Sequence, residues 1–236
     1  MANDCSNSEV LFDQYATTYE AALVQSLAVS GEDQEFFAKG RVRWLAKCLR
    51  ELKEHPHSVL DFGCGVGSSS PHLLSLLGAH SLLGIDVSHG SLEEARRRYG
   101  SSQTTFHPPQ DYDPDASIDL AYCNGVFHHI PVNERAEAAS YVYRALRPGG
   151  LFAFWENNPW NPGTRYVMSR CAFDCDAIPL SCRKARRLLR ACGFSILRTD
   201  FAFIFPHPLK WLRPIEPLVS RLPLGAQYQV LCQKLS

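Results

Sequence analysis

The sequence predicts an α/β fold: a doubly wound, mostly parallel sheet with helices on both faces. Three observations predict it. Short apolar runs alternate with helical stretches between residues 58 and 155. A glycine-rich turn follows the first run at once, and an acidic residue closes the second. Such alternation builds parallel sheets, because each crossover must carry the chain back over one face of the sheet.

Residues 8–28 read as helical, and residues 32–53 more strongly. Val42, Leu45, Leu49 and Leu52 form one apolar stripe at 3–4–3 spacing, and Pro56 stops that helix. Ser58 to Phe62 reads as a buried strand. Ser81 to Asp86 is the second strand, Leu92 to Tyr99 a helix, and Thr104 to His107 a short third strand. Ile118 to Cys123 follows as the fourth. Asn133 to Leu146 is a helix closed by Pro148-Gly149-Gly150, and Leu151 to Trp155 the fifth strand. Residues 156–180 carry Asn, Pro and Trp with weak period and read as a long functional loop. Ser181 caps a basic helix, Arg183 to Ala191, which Gly193 ends. Two strands, near Phe194–Phe205 and Gln227–Gln233, flank a proline-punctuated insert from Pro206 to Gly225. The whole reads as one domain, 1–236: a helical cap at 1–55, a core at 56–156, and an acceptor loop, basic helix and final strands at 157–236.

Composition excludes several classes. With 24 basic and 24 acidic residues the formal net charge is zero, which argues against a nucleic-acid partner. No apolar run reaches the length of a membrane span, so no integral membrane segment is expected. The start, Met1-Ala2-Asn3-Asp4-Cys5, is polar and acidic, unlike a signal peptide. The nine cysteines are scattered, odd in number and never CxxC, which predicts reduced thiols and a cytoplasmic location. Cys171, Cys175 and Cys182 lack the paired spacing of a structural zinc site, and no metal is expected.

The glycine-rich turn reads Asp61-Phe62-Gly63-Cys64-Gly65-Val66-Gly67. A dinucleotide fingerprint is G-x-G-x-x-G, with a helix N-terminus facing pyrophosphate. Here the spacing is G-x-G-x-G, and Ser68 stands where the third glycine would be. Asp61, two residues before the first glycine, would repel pyrophosphate and suits a cationic ligand. An NAD-dependent oxidoreductase is the reading from another enzyme class, and both features oppose it. After the next strand comes Gly84-Ile85-Asp86-Val87-Ser88. An acidic side chain at that strand end can accept hydrogen bonds from both hydroxyls of a ribose.

The chain from Val59 to Gly67 resembles the first motif of class I S-adenosylmethionine (SAM)-dependent methyltransferases, and Gly84 to Ser88 resembles their second. Asp119-Leu120-Ala121-Tyr122-Cys123-Asn124-Gly125-Val126-Phe127-His128-His129-Ile130 is similar to the strand-four motif of the small-molecule (type 11, UbiE-like) branch. Leu146-Arg147-Pro148-Gly149-Gly150 matches the turn before strand five. Phe12-Asp13-Gln14-Tyr15-Ala16-Thr17-Thr18-Tyr19 resembles an N-terminal segment that closes over the cofactor. The resemblance implies a Rossmann-like, seven-stranded sheet with an antiparallel C-terminal strand. It also implies methyl transfer from SAM, leaving S-adenosylhomocysteine, to a small-molecule acceptor.

Carried over residue by residue, Gly63, Cys64 and Gly65 would approach the methionine part of SAM, with Asp61 near its sulfonium and amino group. Asp86 and Val87 would meet the ribose, and Asn124 and Gly125 the methionyl backbone. Tyr15 or Tyr19 would cover the site. The family often places an acidic residue after strand three against the adenine amine. Here the prolines of Phe106-His107-Pro108-Pro109-Gln110-Asp111 leave Gln110 or Asp111 for that place.

An alcohol acceptor needs a general base, whereas a carboxylate acceptor needs none. His128 and His129 follow strand four, where the acceptor should lie, and also suit a packing turn. Glu156 follows strand five and either acts as a base or orders the next loop. In that loop Asn157, Asn158, Trp160 and Asn161 are candidates for the acceptor pocket. The acceptor is expected to be an oxygen of a specialised metabolite or glycoconjugate. A protein of the same fold that binds SAM without methylating is the alternative.

Overall fold

The computed structural model describes residues 31–171 and 177–235. The expected helix at 8–28, with Tyr15 and Tyr19, lies outside the described residues.

The first described helix, α1 (Gln34–Leu52), starts where the Asp33 carboxylate accepts the N–H of Phe36 at 2.7 Å, satisfying one of the free donors of the first turn. It ends with Lys53 in the left-handed region, before Pro56 is reached. The core then runs β1 (Ser58–Phe62), α2 (Ser70–Leu77), β2 (Ser81–Ile85), α3 (His89–Tyr99), β3 (Thr104–His107), β4 (Ile118–Asn124), α4 (Arg135–Ala145) and β5 (Leu146–Asn157). After β5 come α5 (Pro162–Arg170), α6 (Cys182–Ala191), β6 (Phe194–Ala202), a 3-10 turn (His207–Ile215), the short α7 (Glu216–Val219) and β7 (Gln227–Lys234).

The seven strands form one sheet in the order β3-β2-β1-β4-β5-β7-β6. All neighbouring pairs from β3 to β5 are parallel, and β7 runs antiparallel to both β5 and β6. The expected Rossmann-like α/β fold is therefore the observed one. Strand order reverses at β1, which pairs with β2 on one side and β4 on the other. The carboxyl ends of those strands open a crevice, the usual ligand site of such sheets.

Strand alternation sorts the core into two layers. Val59, Leu120, Tyr122, Ala153 and Trp155 face α1, α2 and α3. Leu60, Ala121, Cys123, Phe152 and Phe154 face α4 and α6. The same alternation places functional groups: Asp61 shares the face of Val59, whereas Glu156 shares that of Phe154. Gly40 sits inside α1 because a Cβ there would lie 2.7 Å from the ring of Phe203. Its absence lets that phenyl seat on the helix.

Two segments differ from expectation. Residues 156–180 are not one loop, since α5 forms after Asn161 accepts the N–H of Thr164 at 2.9 Å, a side-chain cap that local period does not announce. The 206–225 insert is 3-10 and helical, and β6 stops at Ala202 because Phe203 takes a positive φ of 60°.

One buried ion pair fastens α1 to the far edge of the sheet. Asp200, fully buried on β6, accepts from Arg198 Nε at 2.6 Å and Nη2 at 3.1 Å, and from Trp44 Nε1 at 3.3 Å. Removing Asp200 leaves Arg198 with only the exposed Glu51 and leaves Trp44 Nε1 without its acceptor. Asp200→Ala is expected to cost about 3 kcal/mol of stability, read as a lower urea midpoint with an unchanged denaturant slope.

Candidate active site

A cavity of about 1150 Å³ opens at the carboxyl ends of β1, β2 and β4. Three local features build its floor. The chain turns sharply after β1 at Gly63 (φ 73°), Gly65 (φ 53°) and Gly67 (φ 77°). A Cβ on Gly63 would strike Val126, so that glycine is required for packing. A Cβ on Gly65 would meet nothing and would project into open space, so that glycine leaves room beside the backbone. Asp86, just beyond β2, accepts the N–H of Gly65 at 2.7 Å and that of Ser88 at 2.9 Å, which fixes its carboxylate against the turn.

Asp61 is the most informative group. It is 2% exposed, and its Oδ2 has no hydrogen-bond partner. Burial, reinforced by the nearby charge of Asp86 and eased by Arg41, pushes its pKa up to about 7. An unpaired buried carboxylate is costly unless something cationic meets it. Asn124 at the end of β4 likewise has a buried Oδ1 without a partner, and it lines the same cavity.

Arg41, Tyr122 and Gln227 complete the floor, and the sequence reading missed all three. Arg41 Nε donates to the Tyr122 hydroxyl at 3.1 Å, and Arg41 Nη1 to Gln227 Oε1 at 3.1 Å. Gln227 Nε2 donates in turn to Asn157 Oδ1 at 3.1 Å. One signal was visible in advance: Arg41 falls on the apolar face of α1, one residue before Val42 and four before Leu45.

On the other side of β5, His128 and Glu156 form a buried pair. His128 Nδ1 lies 2.6 Å from Glu156 Oε2, with the two side chains 4% and 1% exposed. Glu156 Oε1 accepts the N–H of Phe127 at 2.8 Å and of His128 at 3.3 Å. His128 and His129 both line the cavity, and their rings lie 4.0 Å apart. Glu156 does not line it. Strand alternation turns its side chain to the α4 side, where it meets His128.

Of the other expected residues, Gly63, Cys64, Gly65, Asp86, Val87, Gln110, Asn124 and Gly125 line the cavity together with Asp61, and so do Asn157 and Asn161. Asp111, the exposed last residue of the 3-10 turn Pro109–Asp111, does not. Asn158 is buried and donates to the carbonyls of Pro223 and Gly225, which makes it a tether of the insert. Trp160 is exposed, outside the cavity, with the Arg183 guanidinium 5.9 Å from its ring. Phe203 and Phe205, after β6, line the cavity, whereas Phe201 within β6 packs in the core. Among the described residues no cluster of His, Cys, Asp and Glu is arranged to hold a metal ion.

Fold and site together define a Rossmann-like domain with a SAM-type crevice, and comparison with known proteins agrees. Residues 59–150 match the family model described as a methyltransferase domain. A trans-aconitate 2-methyltransferase from Acidovorax sp. (strain JS42) is 30% identical over 187 residues, covering 71% of this chain and 72% of that protein. One from Methylobacterium nodulans is 33% identical over 118 residues, covering 50% of this chain and 45% of the relative. The chain spans less than half the length of several curated relatives it matches. A crystal structure of a SAM-dependent methyltransferase from Thermotoga maritima superposes with a TM-score of 0.66 at 18% identity, covering 96% of this chain and 99% of that one. The chain belongs to the class I SAM-dependent methyltransferase superfamily.

Proposed function

We propose that this chain transfers a methyl group from SAM to a hydroxyl oxygen of a small acceptor with a largely apolar body. The observation that carries the reading is Asp61: a buried carboxylate with an unpaired oxygen beside a glycine turn that leaves open space. These residues fit the cofactor. Asp61 and Asn124 would hold its amino end, Gly63 and Gly65 would admit its methionine part, and Asp86 would accept from its ribose hydroxyls. Bound there, SAM supplies an electrophilic methyl group on a positively charged sulfur.

This chain's own groups do the rest. The cavity walls orient the acceptor, and holding two reactants in line can supply about 7–11 kcal/mol of the barrier. With Nδ1 engaged by Glu156, His128 takes the hydroxyl proton at Nε2, and the Glu156 carboxylate stabilises the imidazolium that results. A carboxylate acceptor would leave this pair without work, so the pair favours a hydroxyl. The walls favour an apolar body: Phe36, Phe37, Val167, Met168, Ile204 and Phe205 line the cavity. Of the arginines that line it among the described residues, Arg213 is paired with Glu32 at 2.7 Å and the carbonyl of Phe205 at 3.1 Å, and Arg41 is buried beside Asp61 with its N–H groups on Tyr122 and Gln227. Among the described residues, a polycarboxylate such as the one named for the curated relatives would find Arg41 as its one cation without a carboxylate hydrogen-bond partner, and that cation already faces Asp61.

Calorimetric titration tests the cofactor step, on protein freed of retained S-adenosylhomocysteine and with NAD as control. Asp86→Ala is expected to weaken SAM binding at least about tenfold. S-adenosylhomocysteine should then form with hydroxylated, apolar acceptors and not with their O-methylated forms. Absence of SAM binding would overturn the reading. Binding without turnover across the acceptor panel would instead favour a SAM-fold protein that does not methylate.

A further inference from the structure

We propose that one face of this protein docks on an anionic lipid surface, and that the acceptor reaches the cavity from that surface. The docking face stands independently of the methyl-transfer reading, while the acceptor's route rests on it.

The face begins with the insert between β6 and β7. Single exposed apolar side chains are ordinary, but a run of them on one segment is not. Trp211 is 72% exposed and Leu218 85%, with Leu209, Ile215, Leu222 and Leu224 each at least 41% exposed. The surface continues beyond the insert. Asn161 Nδ2 donates to the carbonyl of Leu224 at 2.8 Å, and Asn158 Nδ2 to that of Pro223 at 3.1 Å, which ties the turn bearing exposed Trp160 to the same patch.

Charge decides the kind of partner. The chain has no formal net charge, yet α6 carries Arg183, Lys184, Arg186, Arg187 and Arg190 and no acid among its ten residues. Its first turn borders the patch, with Arg183 over Trp160. Beside it Arg170 lies 5.0 Å from the ring of exposed Tyr166. On the insert Lys210 and Arg221 are exposed, and the acid there, Glu216, is occupied by the N–H groups of Ile204 and Phe205. Indole and phenol rings beside guanidinium groups, next to aliphatic side chains, suit the headgroup level of a bilayer, and the cations match anionic lipids. A second copy of the same face would set cation against cation. No helix of the described residues is long and apolar enough to cross a membrane.

The same elements wall the cavity. Pro206 and Arg213 of the insert and Val167 and Met168 of α5 line it. An amphiphilic acceptor lying in the lipid would therefore meet the cavity where the protein meets the surface.

Vesicle flotation tests this with the full chain. The wild type is expected to float with vesicles containing about one-third phosphatidylglycerol, to stay down with phosphatidylcholine alone, and to be released at about 0.5 M salt. Trp211→Ser with Leu218→Ser, and separately Arg183→Glu with Arg187→Glu, should each lower the bound fraction about tenfold, with SAM affinity by calorimetry unchanged. Those four side chains lie outside the cavity wall and the core. Equal flotation of wild type and both double variants would overturn the proposal, as would failure of the wild type to float while still binding SAM. A concentration-dependent dimer abolished by Trp211→Ser with Leu218→Ser, without vesicle binding, would overturn it too and assign the face to a second copy. Flotation without SAM binding would sink the methyl-transfer reading and leave the docking face standing.

Discussion

Asp61→Asn is expected to stabilise the ligand-free protein while weakening its hold on SAM about a hundredfold. The two effects share one cause. In the free protein the carboxylate is buried with an unpaired oxygen, and its pKa stands near 7 against an ordinary 3.8. Between those values the folded state binds more protons than the unfolded state. Stability associated with this group is therefore fully present below about pH 4 and is lost as pH rises through 7. The shift corresponds to about 4 kcal/mol at its limit. An amide carries no charge to desolvate, so Asn should recover about 1–2 kcal/mol at pH 8 and remove this part of the pH slope. With SAM the sign reverses. A cationic amino group favours the ionised carboxylate, so below pH 7 binding must expel a proton. Affinity should rise about tenfold per pH unit toward neutrality, then fall above the ammonium's own pKa of about 8. The acid limb should vanish in Asp61→Asn. Melting curves across pH, with calorimetry in buffers of different ionisation enthalpy, read both effects. An Asn variant that melts lower and binds SAM equally well would show Asp61 to be scaffold.

How far the sequence reached follows from which interactions are local. The turn at Gly63 to Gly67, the acid at the end of β2 and the strand–helix alternation are contiguous signals, and the cofactor crevice follows from them. What stayed hidden depends on pairing across the sheet. Arg41, Tyr122 and Gln227 come from α1, β4 and β7 and meet only when the register sets Asp61 beside Tyr122. The direction Glu156 points was not legible, because the face a strand residue takes is known only once the strand's extent is known. β5 runs through Asn157 rather than stopping at Trp155, which turns Glu156 toward His128 and Asn157 toward the cavity. Trp160 looked like a pocket wall for its size and its flanking prolines. Its neighbours Asn158 and Asn161 instead spend their side chains on carbonyls of the insert, and the indole is left facing outward. Polar residues between prolines signal an ordered turn without saying what the turn is tied to.

The proton-transfer step makes the other large prediction. His128→Ala is expected to lower kcat toward a hydroxyl acceptor by about 10²–10⁴-fold, with SAM affinity kept within about threefold. Glu156→Gln separates a base from a packing turn more sharply. The two side chains match in shape, so Gln can still accept the N–H groups of Phe127 and His128 through its oxygen. Its amide nitrogen then faces His128 Nδ1 and donates to it. That fixes the tautomer with its proton on Nε2, where the acceptor's proton must go, and removes the charge that stabilises the imidazolium. The loss should therefore fall on kcat rather than KM and approach that of His128→Ala. His129→Ala, which leaves the Glu156 contact intact, should cost much less. If Glu156→Gln kept full kcat, the buried pair would serve packing alone, and the acceptor would be a group that takes the methyl without losing a proton, such as a carboxylate.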